Sequence, residues 1–279
     1  MLAAAIIVFR EVLEASLIVG IVLAAAKGIA GRNGWVGAGV GTGAVGAVIV
    51  ATFAGVLAEA AQGMGQELFN AIILLVAVVM LGWHNVWMSR HSRDMANEVG
   101  SIGKAVAAGT RPLYALAVVT GVAVLREGSE TVLFLYGIAN SGGDNGISSM
   151  AVGGLLGVVG GIAVGAALYF GLLRIPMRHL FTVTNWMILL VAAGMASQAA
   201  GFLVQADYLP SLGSDIWDTS WLLTESSVLG KILHALIGYV SRPAGIQIVF
   251  YLTTILVIGF FTFMVGRKSA TANTTTAEE

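Results

Sequence analysis

Seven stretches of this chain run for about 20 residues or more with few or no charges, which is the length a helix needs to cross a hydrocarbon core of about 30 Å. They are Leu2–Ala26, Trp35–Ala58, Leu68–Met88, Pro112–Ala139, Ile147–Leu173, Val183–Val204 and Gly245–Val265. The composition agrees: 57% of the 279 residues are hydrophobic and 10% are charged. Mean hydropathy is +0.89. A soluble domain carries about 25% charged residues, so a water-facing surface cannot be built from this chain. A net charge of −1 excludes an electrostatic nucleic-acid binder, and the absence of cysteine excludes disulfides and thiolate metal sites. The 37 glycines are spread through the apolar stretches, as suits closely packed membrane helices. The expected fold class is an all-α polytopic membrane protein with seven transmembrane helices. Arg10, Glu11 and Glu14 interrupt the first stretch, and no early positive charge precedes it, so it reads as a span rather than a signal peptide.

Basic residues orient the spans. Lys27, Arg32, Arg90, Arg93, Lys104, Arg111, Arg174, Arg178, Arg267 and Lys268 fall on one side. By the positive-inside rule that side is cytoplasmic, which puts the N-terminus outside and the C-terminus inside. The opposite loops hold Glu59, Glu67, Asp144, Asp207, Asp215, Asp218 and Glu225.

The first six spans repeat at an offset of 115 to 116 residues. Arg10, Glu11, Glu14 and Leu17 match Arg126, Glu127, Glu130 and Leu133. Gly37, Gly41 and Gly55 match Gly153, Gly157 and Gly171, and Asn70, Ala77 and Met80 match Asn185, Ala192 and Met195. Each copy holds three spans, an odd number, so the second is expected upside down relative to the first. This 3+3 inverted repeat is a transporter architecture with its substrate site near the midplane. Repeat one is 1–111, repeat two 112–206, an external loop 207–244 and the seventh helix 245–266, all within a permease domain 1–266. The tail 267–279, rich in Ser, Thr and Ala, reads as disordered and cytoplasmic.

Six charged groups lie deep inside spans: Arg10, Glu11 and Glu14 in the first, Arg126, Glu127 and Glu130 in the fourth. Each costs about 2.5–3.5 kcal/mol to insert before pairing relieves part of it. An i, i+3 spacing puts both carboxylates of a motif on one helix face, and arginine at i meets glutamate at i+4. Two Arg–Glu pairs leave two further glutamates, a formal −2 that a cation or protonation would offset. Four carboxylates form a hard oxygen site suited to Mg, Ca, Mn or ferric iron, and the donors alone do not choose among these.

Two R-E-x-x-E motifs at matched depth within seven spans resemble the high-affinity iron permease family of oxidase-dependent iron transporters. The segments Asp215-Ile216-Trp217-Asp218-Thr219-Ser220-Trp221 and Leu233-His234-Ala235-Leu236-Ile237-Gly238-Tyr239, followed by Arg242-Pro243, resemble its bacterial branch. The resemblance covers the chain to about Met264. It implies import of iron, as Fe3+ or Fe2+, across a plasma or inner membrane, with Glu11, Glu14, Glu127 and Glu130 carrying the ion. No permanently bound cofactor is implied. A separate extracytoplasmic iron-oxidising or iron-delivering protein is the implied partner.

Arg10 and Arg126 are read as charge partners of the glutamates. Asn70 and Asn185 are read as path or packing residues, and Asp215, Asp218 and Glu225 as external ion collectors. Histidines 84, 91, 179 and 234 form no His-x-x-x-His pair on a span, which argues against a histidine-ligated catalytic metal. Two rivals stand: a permease for another cation such as lead or manganese, and an intramembrane hydrolase. The hydrolase would use Ser129, whose counterpart in the first repeat is Leu13.

Overall fold

Lipid offers backbone N–H and C=O groups no partner, so apolar stretches of this length must satisfy their hydrogen bonds internally as helices. A computed structural model describes residues 2–60, 65–139, 147–171, 177–224 and 227–275, and among them there are helices and no strands. The helices are α1 Leu2–Ala25, α2 Arg32–Ala60, α3 Gln66–Ala107, α4 Tyr114–Ala139, α5 Ile147–Tyr169, α6 Met177–Gln205, α7 Val228–Ile237 and α8 Gly245–Thr275. Five are long and apolar enough to cross a membrane: α2, α3, α5, α6 and α8. α1 and α4 are of similar length, but each carries an arginine and two glutamates in its middle. The protein is a multi-pass membrane protein.

Charge sorts the helices radially. α1 packs against α3, α4 and α5, and α4 against α1, α2 and α3, so the two charged helices lie inside the bundle. Only 11% of the apolar window of α8 is buried, against 61% for α6. Val45, Val48, Ile49 and Phe53 on α2 and Leu155, Leu156 and Val159 on α5 are exposed, as a lipid-facing surface requires.

The most extensive helix contacts pair α2 with α4 and α1 with α5, and small residues line them. A Cβ on Gly43 would lie 2.7 Å from the Gly121 carbonyl oxygen and 2.8 Å from Val124 Cβ. One on Gly157 would lie 2.7 Å from the Ala5 carbonyl oxygen and 2.8 Å from Val8 Cβ. Ala5 and Val8 are the sequence counterparts of Gly121 and Val124. Gly46 against Leu125 and Gly160 against Phe9 repeat the relation, as do Ala47 against Gly128 and Gly161 against Val12. Contact therefore makes Gly43, not Gly41, the counterpart of Gly157. The register between spans two and five shifts by two residues from the sequence alignment, because sequence identity among glycines does not say which glycine faces the partner helix.

Three elements differ from the sequence reading. The segment 89–111, read as a loop, continues α3 to Ala107. This 42-residue helix is about 63 Å long at 1.5 Å per residue. Polar residues end a membrane run without ending a helix, and no proline interrupts this one. Its far end packs on α1: Val99 and Val106 join Ile18, Val22 and Ala26 in one buried cluster. The helix closes where Thr110 N donates to the Ala105 carbonyl, next to Gly109 at φ 73°. Helical backbone likewise continues from α8 past residue 266 to Thr275.

The segment 207–244, read as a loop, is an ordered insertion among its described residues. Its ends are joined by Ile216 N to the Pro243 carbonyl and Thr219 N to the Ser241 carbonyl, each at 3.0 Å. Between them lies α7, N-capped by Ser227, whose Oγ accepts from Gly230 N, and closed by Gly238 at φ 67°. A Cβ on Gly194 of α6 would lie 2.6 Å from Gly238 Cα. Gly194 is about 16 Å inside the Gln205 end of α6 at 1.5 Å per residue, so α7 reaches well along the bundle rather than resting on its rim.

A substitution pair tests the packing. Gly43→Ala and Gly157→Ala should each destabilise the protein by about 1–3 kcal/mol through overpacking. Nothing lies within 4 Å of a Cβ on Gly37 or Gly154. Alanine there should be neutral or stabilising by up to about 1 kcal/mol from helix propensity. Thermal unfolding in detergent, read for all four variants, would reveal the opposite signs.

Candidate metal centre

The two charged motifs first pair within their own helices. In α1, Arg10 Nε lies 3.0 Å from Glu14 Oε1 and Arg10 Nη1 lies 3.3 Å from Glu11 Oε1. All three side chains are buried, with Arg10 only 1% exposed. In α4, Arg126 Nε lies 3.2 Å from Glu130 Oε1 and 4.0 Å from Glu127 Oε1. The α4 motif is the more open of the two, and the Arg126 side chain is 34% exposed. The Arg126 guanidinium sits 4.3 Å from the centre of the Trp87 ring on α3, a cation–π contact that shields one face of the charge.

Helix α3 supplies a residue that the sequence reading placed outside the site. His84, 4% exposed, contacts Glu130 Oε2 through Nδ1, and its Nε2 lies 3.7 Å from Glu14 Oε2. Its ring meets Phe134 edge-on, with centroids 6.4 Å apart. One donor atom each from Glu11, His84, Glu127 and Glu130 lies within 4.8 Å of all the others. Glu14 stands at the edge of this group, held by Arg10 and facing His84. The spacing rule overlooks His84 for a physical reason: without His-x-x-x-His spacing the sequence shows no histidine pair, but a polar cluster assembled from three helices needs only one. The available signal was an imidazole beside Asn85 within an apolar helix that continues well beyond it.

Formal charge and hydrogen bonding both leave the cluster incomplete. Four carboxylates face two guanidiniums. Glu11 Oε2, Glu127 Oε2 and His84 Nε2 are buried without a hydrogen-bond partner. Buried polar atoms are normally satisfied, so a cation or bound protons would complete the cluster. Three carboxylates and an imidazole in mutual reach can replace the hydration shell of a divalent or trivalent ion.

Two cavities reach the cluster. One of about 770 Å³ lies between α1, α2, α4 and α5, with apolar walls broken by Glu11 and Glu127. The other, about 620 Å³, touches Arg126 and Glu127 and passes Ile18 and Val99 toward Glu98 and Arg111, at the end of the bundle where α3 gives way to α4.

The other sequence candidates are not among the four residues in mutual reach. Asn70 and Asn185 are half-buried, and Asn70 is about 21 Å from His84 along α3 at 1.5 Å per residue. Asp218 is engaged in its own turn: Oδ1 accepts from Ser220 N at 2.8 Å and from Ser220 Oγ at 2.5 Å, and Oδ2 pairs with Arg242 at 2.9 Å. These Ser220 hydrogen bonds, with help from Arg242, lower its pKa to about 2. Asp215 is exposed at φ 55°. Glu225 lies outside the described residues. Ser129, the hydrolase candidate, donates its hydroxyl to the Leu125 carbonyl at 2.7 Å.

Residues 1–272 match the model of the iron permease FTR1 family. The ferrous iron permease EfeU of Yersinia pestis is 32% identical over 270 residues, which is 95% of this chain and 94% of the relative. EfeU of Escherichia coli O157:H7 is 30% identical over 244 residues, 86% of this chain and 87% of the relative. No solved structure matches the chain significantly. A match along nearly its whole length makes this chain a member of the iron permease FTR1 family, whose function is iron transport across a membrane.

Proposed function

We propose that this permease imports iron across a plasma or inner membrane through the buried cluster of Glu11, Glu14, Glu127 and Glu130, with Arg10 and Arg126 holding the carboxylates ionised and oriented. The observation that carries the reading is the set of buried, unpartnered carboxylate oxygens on Glu11 and Glu127, contributed by equivalent positions of two motifs and adjoined by two cavities. A scaffold has no use for carboxylates left unsatisfied in its core, whereas a transported ion supplies the missing partner and then leaves. A hydrolase is less well supported, because the Ser129 hydroxyl is committed to its own helix.

The route follows an inverted repeat of α1–α3 and α4–α6 with seven transmembrane helices, α8 being the extra one and α7 part of the external insertion. Matched contacts of α2 on α4 and of α1 on α5 support that arrangement. The N-terminus lies outside, so the ion arrives from the side of the 207–244 insertion and leaves past Glu98 and Arg111. A separate extracytoplasmic protein that oxidises or delivers iron hands it over. Rocking of one repeat against the other would expose the cluster to each side in turn.

Uptake of radiolabelled iron into cells or proteoliposomes tests the path. Glu11→Gln and Glu127→Gln should each lower uptake by about 10–100-fold, the scale on which support of a metal site is lost. Glu14→Gln and Glu130→Gln should also lower it. Unchanged uptake in all four variants would sink the reading, and stronger competition by manganese, zinc or lead than by unlabelled iron would reassign the ion.

The natural absence of cysteine allows a direct check of orientation. Asp215→Cys should react with a membrane-impermeant thiol reagent added to intact cells, and Ser101→Cys only after permeabilisation. The reverse pattern would invert the topology.

A further inference from the structure

The proposed path takes its symmetry from two equivalent motifs, but the cluster itself is not symmetric. His84 is on α3, and the sequence register that matches Asn70 with Asn185 places Ala199 at the corresponding point of α6. One imidazole therefore enters a site otherwise composed of carboxylates. Its two nitrogens face different groups: Nδ1 lies against Glu130, a member of the four-residue set in mutual reach, and Nε2 is directed toward Glu14, which is outside that set. Metal-bound histidines commonly ligate through one nitrogen and hold a carboxylate through the other, which fixes the tautomer and the ring plane. Glu14, anchored in turn by Arg10 at 3.0 Å, is placed to be that carboxylate.

We propose that His84 is a direct ligand of the transported ion, oriented by Glu14, and that its nitrogen makes the site discriminate iron from magnesium and calcium. The proposal rests on the glutamate-cluster reading above and deepens it. Carboxylate oxygens alone favour hard cations, including the magnesium and calcium that a permease must leave behind. Imidazole is a poor ligand for those ions and a good one for first-row transition metals, following the order of their affinities for nitrogen. A single nitrogen raises the preference for iron while the carboxylates supply the charge needed to draw a cation into the bilayer. It does so without the soft thiolates that would retain the ion. The surroundings fit a ligand rather than a packing residue: the ring is buried, Phe134 meets it edge-on, and Nδ1 lies against Glu130 of the four-residue set.

The full-length protein in liposomes tests this by uptake of radiolabelled Fe2+, alone and against excess Mg2+ or Ca2+. Wild type should be little affected by either competitor. His84→Gln should lose roughly tenfold or more of its iron uptake and become sensitive to both competitors. If His84→Gln retains the iron uptake and ion preference of wild type while Glu11→Gln lowers uptake as expected, the histidine proposal is overturned and the glutamate path stands. If all four glutamate variants also transport normally, the path itself falls. Pulsed electron paramagnetic resonance of the Mn2+-loaded protein gives a second readout that does not require a stable His84 variant. The triple variant His91→Gln, His179→Gln, His234→Gln leaves His84 as the only imidazole. Nitrogen coupling to Mn2+ in that variant supports direct ligation, and its absence overturns it.

Discussion

The fold depends on the cost of holding six ionisable side chains inside a bundle made for lipid. Helical geometry removes part of that cost before any tertiary contact forms, because Arg10 and Glu14, like Arg126 and Glu130, are one turn apart on the same helix. One guanidinium per motif cannot neutralise two carboxylates, so each helix arrives with charge left over. α1 and α4 must therefore turn their charged faces away from lipid and toward each other. The other long helices follow from that demand. α2, α5 and α8 carry the exposed apolar surface because they have no deep charge to hide. α3 supplies the imidazole that contacts Glu130 and the indole that faces Arg126.

Close approach of the helices is the second requirement, since it keeps lipid from the charged cluster where the helices cross. Glycine provides it where α2 crosses α4 and where α5 crosses α1. One exchange shows how complementarity can be conserved while identity is not. Gly55 of α2 makes room for the Tyr136 hydroxyl of α4, and Gly20 of α1 makes room for the Tyr169 ring of α5. Gly20 and Tyr136 occupy equivalent positions of the two motif helices. The small and large partners have changed helices, yet each crossing keeps one of each. Alignment of letters misses this relation and contact reveals it.

What could be read from the sequence divides along the same physical line. Deep charges are rare and expensive, so Glu11, Glu14, Glu127 and Glu130 stood out from their apolar surroundings, and the helical class followed from run length. His84 did not stand out, because one neutral-capable ring near a span boundary costs little and the boundary was drawn by hydropathy at Met88. The helix does not stop there: hydropathy reports where lipid ends, whereas the backbone obeys propensity and packing, and Val99 and Val106 find a partner surface on α1. α7 was hidden for the opposite reason. At 10 residues it is too short to register as a span, and the Gly194–Gly238 crossing that seats it joins positions far apart in sequence.

The two motifs share their arginine and both glutamates and differ in surroundings. Arg10 is closed off at 1% exposure, while Arg126 opens at 34% onto the cavity that passes Glu98 and Arg111. The shared charged residues do not generate that difference; it follows from the residues and helices placed around each motif. In the proposed inverted repeat the two placements are interchangeable in principle, and exchanging them would close the Arg126 side and open the Arg10 side. Ala3, Ile7 and Phe134, now fully or almost fully buried around the N-terminal half of α1, would then border the opening. His84 does not take part in that exchange, because Ala199 stands at the corresponding position. The proposed transporter therefore divides its work: the repeated glutamates provide a site that either side can reach, and the unrepeated imidazole gives that site the same chemical preference in both states.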